Sequence, residues 1–421
     1  VIDMKLSYDV IVIGGGTAGV IAAIQAGRAG ASILLIEKNG MLGGTVTVGG
    51  INYPSSFHAY QKMIIAGIGW ELCAAAMAIE GQDVNADHRG FTSSISGFTV
   101  NPALYAALAD EMVLDAGAEI LFHAMPAIVS KNDDTWKLTI CTKTGLQDVR
   151  GKILIDCTGD ANIVQMAGYA VTRSEDLQPG TLVVHATGYD AKTLDYDTIQ
   201  KAFDVEIAAG RMKISDPGWN HGNIKFFLNS YGGNRIHVPD VDASTSEGKT
   251  IAEIEGRKAM MRIFRFCRQQ PGLENFNINY CATECGIRET VIIKGKTTVT
   301  CDDYTSGRVF DDAVCYSFYP IDIHRNHSID GANIGDGIYP TIPLGAMLPI
   351  DSDGIIVAGR SVAGDQRANS AFRVESSCMA MGQAAGVVAS LAVKQNKKID
   401  ELAITDIRNL LRQHGSIVPV S

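Results

Sequence analysis

Apolar positions along this chain fall into two periods, and the order in which the periods alternate predicts its elements. Val10, Ile11, Val12 and Ile13 form an unbroken apolar run, the pattern of a parallel strand covered on both faces. A helix follows from about Thr17 to Ala29, with Val20, Ile24 and Gly27 on one stripe. A second apolar strand, Ser32 to Ile36, ends at Glu37. The strand-then-turn pattern returns twice. Ile153 to Ile155 runs into Asp156-Cys157-Thr158-Gly159-Asp160, and Ile355 to Ala358 runs into glycine-rich turns, Asp365 and a long helix from about Arg373. Between them, Asn101 to Ala116 reads as a helix, with Asn101 as its cap and Pro102 at its first position. The strand LFHAMPAIVS comes next, and then a β-meander with KNDD and KTG as turns.

These elements predict an α/β chain: a Rossmann-like dinucleotide-binding domain with a parallel central sheet and a β-meander, plus an inserted α+β substrate domain. The binding domain is discontinuous, taking 1–60, 98–175 and 346–395. A helical capping insertion is expected at 61–97, the substrate domain at 176–345 and a helical tail at 396–421. The substrate domain has irregular strands, long loops such as SDPGWNHGN and one clear helix, Thr250 to Gln270. No internal repeat is visible.

Gly14-x-Gly16-x-x-Gly19 sits at the first turn. Gly14 permits the turn, Gly16 lets backbone approach a pyrophosphate, and Gly19 lets helix pack close to strand. Glu37 lies 18 residues beyond Gly19, near the spacing at which an acid receives a ribose hydroxyl pair. The rest of the chain favours FAD over NAD. Gly43 and Gly44 follow soon after the acid, and three strand ends with small residues are spread from one terminus to the other. That arrangement suits one extended ligand along the carboxyl edge of a sheet.

The order GxGxxG, Glu37, LGG, IDCTGD and VAGR…MGQAAG resembles the FAD-dependent oxidoreductases of the glutathione-reductase-like superfamily of two-dinucleotide-binding-domain flavoproteins. More narrowly it resembles their bacterial FAD-dependent oxidoreductase family, through Leu42-Gly43-Gly44, Gly286-Ile287-Arg288-Glu289-Thr290 and Gly382-Gln383-Ala384-Ala385-Gly386. The resemblance implies that Gly14, Gly16, Thr17, Ala18 and Gly19 hold the pyrophosphate, with Glu37 and Lys38 at the adenosine ribose. Gly43, Gly44 and Thr45 would lie along the ribityl–flavin portion, and Thr158 and Gly159 on the adenosine side. Gly359 belongs to the last FAD strand's turn, and Asp365 would bond a ribityl hydroxyl or a pyrophosphate water. The helix start at Arg373 and Val374 would face the flavin's N1–C2=O edge, where reduction places negative charge. Pro126 has no N–H for the adenine, which leaves Ala127 or Ile128 to make that contact.

Candidates for acid–base and substrate-binding work come from the insertion. PIDIHRNHSIDG offers His324, Arg325 and His327, and GIRET offers Arg288, to bind an anionic substrate, to brace the flavin, or to form a structural ion pair with Glu289. The alternative for the His–Arg stretch is a solvated loop. His58 follows the second glycine loop and could reach the flavin side, whereas His185 on an apolar strand is expected to be a core histidine. LGGTVTVGG contains no histidine, so the flavin is expected to be non-covalent. No second GxGxxG follows a strand, and no CxxC is present for a dithiol relay.

The reading is therefore an oxidoreductase that moves hydride between a small organic substrate and flavin N5. Its rivals are a fumarate-reductase-like reductase of a carbon–carbon double bond, and a flavin module of a larger electron-transfer or tRNA-modifying assembly. A net charge of −10 argues against a nucleic-acid partner. The longest apolar stretches, such as GQAAGVVASLAV, fall short of the roughly 20 residues of a membrane span. Nine scattered cysteines fit free thiols in a reducing compartment, so a cytoplasmic location is expected, with no metal site and with an oligomer allowed. No electron acceptor is assigned.

Overall fold

The computed structural model describes residues 5–84 and 97–420. The capping insertion expected at 61–97 therefore falls partly outside the described residues. The chain opens with β1 (Ser7–Ile13), α1 (Thr17–Arg28) and β2 (Ile33–Glu37). A short hairpin, β3 (His58–Ala59) and β4 (Lys62–Met63), leads to α2 (Ile68–Ile79) and α3 (Pro102–Asp115). Four strands follow: β5 (Glu119–Phe122), β6 (Met125–Asn132), β7 (Thr135–Thr142) and β8 (Gly145–Asp156). Asn101 caps α3 as its sequence predicts, its side chain accepting from the N–H groups of Ala103 and Leu104.

The main sheet runs β5-β2-β1-β8-β7-β6. Its β5-β2-β1-β8 part is parallel, and Val10 to Ile13 are buried because helices cover both faces. One strand, β8, serves three partners, the third being Ile355–Val357, which runs parallel to its last residues. The first half of β8 pairs antiparallel with β7, and its second half pairs parallel with β1. This is the α/β class with parallel sheet and meander that the sequence predicts.

After α4 (Asn162–Met166) and β9 (Val171–Thr172) the chain enters a second body. It contains β10 (Gly180–Thr187), α5 (Tyr196–Ala208), α6 (Ile224–Asn229), β11 (Gly232–Val238), α7 (Ser246–Cys267) and β12 (Asn277–Cys281). An antiparallel sheet, β11-β10-β12, packs under α7, and Leu182, Val184, Phe227, Ile236, Ile263 and Phe276 form a separate core. His185 does not join it: the ring is exposed and meets Asn279 Oδ1 at 2.9 Å, because β10 has only one covered face there.

The return path comprises β13 (Ile292–Ile293), α8 (Cys301–Ser306), β14 (Ala313–Tyr316), β15 (Ile321–His324), β16 (Ile329–Ala332) and β17 (Thr341–Pro343). It ends with α9 (Leu344–Met347), β18 (Ile355–Val357), α10 (Gln366–Phe372), α11 (Glu375–Gln395) and α12 (Ile404–Gln413). Packing divides the expected 176–345 insertion. Leu182 to Cys285 make the second core, while Val291, Phe318, Ile321 and Ile342 join the first, where β15 lies on α10 and β14 on α11. The long helix expected from about Arg373 is α11, and the short α10 precedes it with extended Val374 between the two. Helix α11, at 21 residues, is the one described helix long and apolar enough to cross a membrane, and it is buried in the main core.

Candidate functional site

The carboxyl ends of β1, β2, β8 and β18 lie along one sheet edge, since Ile13 pairs with Ile36 and with Asp156, and Asp156 with Val357. At the first of these ends, Gly14 has φ +98°, and a Cβ there would sit 2.4 Å from the Cys157 carbonyl oxygen. A Cβ on Gly19 would lie 1.8 Å from the Gly14 carbonyl oxygen, so only glycine lets α1 start this close to its strand. Gly16 is different. A Cβ there would meet nothing nearer than the Gly44 Cα at 3.9 Å, which leaves space in front of the loop. Gly43 N–H donates to the Gly15 carbonyl at 2.8 Å and Thr17 Oγ1 reaches the Gly43 carbonyl at 3.4 Å, joining the two glycine loops. Thr45, half-buried, opens the turn that follows.

Glu37 is buried. It accepts from Gly15 N–H at 2.7 Å and Asn39 N–H at 2.8 Å, while burial pushes its carboxyl above the usual range. Lys38 reaches away, to Glu284 of the second body at 2.7 Å. Thr158 turns its hydroxyl back to Asp156 Oδ1, and Asp156 also holds the N–H groups of Ile163 and Val164. Gly159 has φ +79°, and its carbonyl receives Arg360 Nε at 2.8 Å. Gly359 follows β18 against Ala18, where a Cβ would lie 3.6 Å from the alanine's. Ala127 is exposed at a bulge between Pro126 and Ile128. Asp365 is anchored in the same manner as Glu37. It caps α10 through Ala368 N–H at 2.8 Å and takes Cys301 N–H at 2.6 Å, so both carboxylate oxygens are held by protein N–H groups.

Two helix starts point to a ligand. Side-chain N-caps close α3, α5, α6, α7, α8 and α10, while α1, α2, α4, α9, α11 and α12 have none. The first-turn N–H groups of α2, α4 and α9 reach Gln383, Asp156 and Asp312 instead, and α12 starts at the surface. The start of α11 has a 3.5 Å bond from Ser376 N–H to the Ser55 carbonyl. Buried helix starts without caps leave N–H groups to be satisfied by something else. Gly382 faces Ala18 and Gly386 faces Ala22 at backbone distance, so α1 and α11 run parallel. By that register α11 starts about six residues, or ~9 Å at 1.5 Å per residue, ahead of α1.

Beyond the start of α11 lies a buried charged cluster. His324 Nε2 meets Asp322 Oδ2 at 3.2 Å, and Arg373 Nη2 approaches the same oxygen at 3.5 Å. Gln178 Oε1 accepts from His324 N–H at 3.1 Å. Arg288 donates to the Pro179 carbonyl at 2.8 Å and to Thr181 Oγ1 at 2.5 Å. The expected Arg288–Glu289 pair is not formed, because Glu289 is taken by the amides of Gln178 and Gln366. Trp219 and His237 close the cluster, their rings 5.0 and 5.2 Å from that of His324. Burial and Arg288 hold His324 down at about 4, so its ring is neutral at neutral pH; Asp322, beside His324 and two guanidinium groups, is held at about 2.

Of the stretch His324-Arg325-Asn326-His327, only His324 enters this cluster. Arg325 and His327 belong to the turn between β15 and β16, with Arg325 N–H on the Ser328 carbonyl and the His327 ring 5.4 Å from that of His221. His58 is half-buried with its ring edge-on to Trp70 at 6.0 Å. Among the described residues no group of three or more His, Cys, Asp or Glu side chains is arranged for a metal ion.

A family model described as FAD dependent oxidoreductase matches residues 9–411. The chain belongs to that family. Its cofactor is FAD, and the open face of Gly16 together with the uncapped starts of α1 and α11 fits such a ligand. The dihydrolipoamide dehydrogenase of Chaetomium thermophilum is 57% identical over 37 residues, which is 9% of this chain and only 7% of that protein's length. Among solved structures the chain is similar to a geranylgeranyl bacteriochlorophyll reductase-like protein from Thermoplasma acidophilum, at 13% identity and TM-score 0.46, over 97% of this chain and 83% of that one. It is also similar to a p-nitrophenol 4-monooxygenase from Pseudomonas putida, at 11% identity and TM-score 0.40, over 96% and 84%.

Sequence reasoning missed Asp322, Gln178, Trp219 and His237. One signal was available: Asp322 and His324 stand two apart on a strand, and period two puts both on one face. Nothing in the local sequence marks Gln178 or Trp219.

Proposed function

We propose that this flavoenzyme transfers hydride between a small organic substrate and the N5 position of non-covalently held FAD. FAD, when bound, supplies the two-electron acceptor and donor. Gly14, Gly16, Thr17, Ala18 and Gly19 would receive the pyrophosphate, Glu37 the adenosine ribose, and Gly43, Gly44 and Thr45 the ribityl–flavin portion. Gly359 would border the pyrophosphate, and Thr158, Gly159 and Ala127 the adenosine. Val374 and the first turn of α11 would lend their N–H groups to the ring's carbonyl edge. Lys38 is paired with Glu284 and is left out of the cofactor set. Asp365, like Glu37, accepts one backbone N–H on each oxygen and keeps lone pairs for a ribityl hydroxyl or a pyrophosphate water.

The observation that carries this reading is the pair of uncapped, parallel helix starts of α1 and α11, staggered along one line with the His324–Asp322 pair beyond the second. His324 is the proton-handling residue. Its Nε2–H donates to Asp322, which leaves the Nδ1 lone pair, buried and without a partner among the described residues, to take a proton from substrate. Asp322 holds the ring in that tautomer.

The reading is tested by loading the chain with FAD, recording its visible spectrum, and denaturing it. Yellow protein that releases all its flavin on denaturation is expected. Anaerobic reduction followed by separate mixing with oxygen and a quinone then assays the acceptor, and protein that stays colourless overturns the reading.

A further inference from the structure

The buried cluster holds more donors than the protein fills. Arg288 is buried, and its Nη1 alone is engaged among the described residues. Arg373 makes only long contacts, 3.4 Å to Gln178 Oε1 and 3.3 Å to the Asp322 carbonyl, and its Nε is buried with no acceptor. Asp322 is the one carboxylate in contact with either guanidinium among the described residues. A planar fork of N–H donors is costly to bury unfilled, and it matches a carboxylate in two parallel hydrogen bonds. Elsewhere in the chain a half-buried guanidinium fork is filled. Arg262 meets Asp216 through Nε at 2.8 Å and Nη2 at 2.6 Å.

The same cluster also holds an unfilled acceptor. His324 Nδ1 has a lone pair and no donor, and Arg288 stands close enough to lower the basicity of that ring. Trp219, braced by the Arg235 guanidinium at 4.4 Å from its ring centroid, walls this side with His237. A ligand that satisfies the set must bring an anion for the arginines and an O–H or N–H for the histidine.

We propose that Arg288 and Arg373 receive the carboxylate of the substrate, and that His324 Nδ1 accepts a hydrogen bond from a hydroxyl or amine carried next to it. The substrate class is thus a hydroxy or amino carboxylic acid. This rests on the FAD reading above and names the substrate of the same site.

The test uses FAD-loaded protein, with calorimetry and the flavin absorption band recorded on the same samples. Three probes share one skeleton: mandelate has the acid and the hydroxyl, mandelamide lacks the charge, and phenylacetate lacks the hydroxyl. Mandelate is expected to bind saturably, mandelamide at least ~30-fold more weakly and phenylacetate ~5-fold more weakly. Arg373→Met should weaken mandelate at least ~30-fold while leaving the flavin band in place, and Arg373→Lys, which keeps charge but loses the fork, about 10-fold. His324→Gln should bring mandelate and phenylacetate to equal affinity. Equal binding of mandelate and mandelamide overturns the proposal, as does yellow protein that binds no mandelate. Loss of FAD in place of mandelate from Arg373→Lys also overturns it, by assigning the arginine to the cofactor. Colourless parent protein counts against the FAD reading instead.

Discussion

The glycine loops and the charged cluster lie at two ends of one candidate site and are built from different materials. The loops are backbone: Gly14, Gly16, Gly19, Gly43 and Gly44 come from two nearby stretches and act through what they lack. The cluster is side chain: Gln178, Trp219, His237, Arg288, Asp322, His324 and Arg373 come from widely separated parts of the chain. A backbone site needs close approach and is intolerant of added atoms. A side-chain site needs placement and carries the charge, so it should be the part that responds to pH and to conservative substitution.

The largest expected effect breaks or keeps that comparison outright. Gly19→Ala puts a methyl 1.8 Å from a backbone oxygen, and loss of soluble yellow protein is expected. Gly16→Ala is its partner test, because its methyl has room; stability within ~1 kcal/mol of the parent is expected by urea denaturation, with FAD affinity reduced. If both variants unfold alike, the space in front of Gly16 is packing and not a ligand site.

A second test compares the filled and unfilled guanidinium forks. Asp216→Ala leaves Arg262 without its buried carboxylate and should cost about 3 kcal/mol in urea denaturation. Asp322→Asn, beside donors that are already unfilled, should cost clearly less while abolishing most turnover. Equal losses of stability would make the cluster an ordinary structural ion pair.

The pH dependence of stability comes next in size. His324 and His237 have folded values near 4 and 2, against about 6.5 unfolded. The unfolded chain therefore takes protons that the folded chain refuses, and stability is lost as pH falls from about 6.5 towards those values. Each histidine contributes about 2 kcal/mol of loss between pH 7 and 5. Glu375, pushed up to about 7 by burial, acts the other way, adding stability at low pH that is lost as pH rises through 7. Total stability therefore mixes the two signs. The discriminating measurement is the pH 7-to-5 difference, which His324→Gln should shift by about 2 kcal/mol towards acid tolerance. The smallest effect is local: Asn101→Ala removes the cap of α3 and should cost about 1 kcal/mol with FAD content unchanged.

Legibility in the sequence follows the same division. The GxGxxG turn, the strands flanking it, the Asn101–Pro102 helix start and the meander turns were readable, because each is a short-range preference whose partners lie within a few residues. His185 was misread because a strand's exposed face depends on which neighbour covers it. The 176–345 insertion was drawn as one unit because chain order does not say that β14, β15 and β17 pack against helices of the first core.

By itself the sequence determined the strand–turn–helix around Gly14, Gly16 and Gly19 and the family to which the chain belongs, since these rest on backbone geometry that a few glycines and apolar runs encode. The tertiary structure alone decided that Arg288 and Arg373 share a buried space with Asp322 and His324, and that Arg325 and His327 do not. Charges separated by tens of residues become partners only when packing brings their strands and helices together, and no local preference records that.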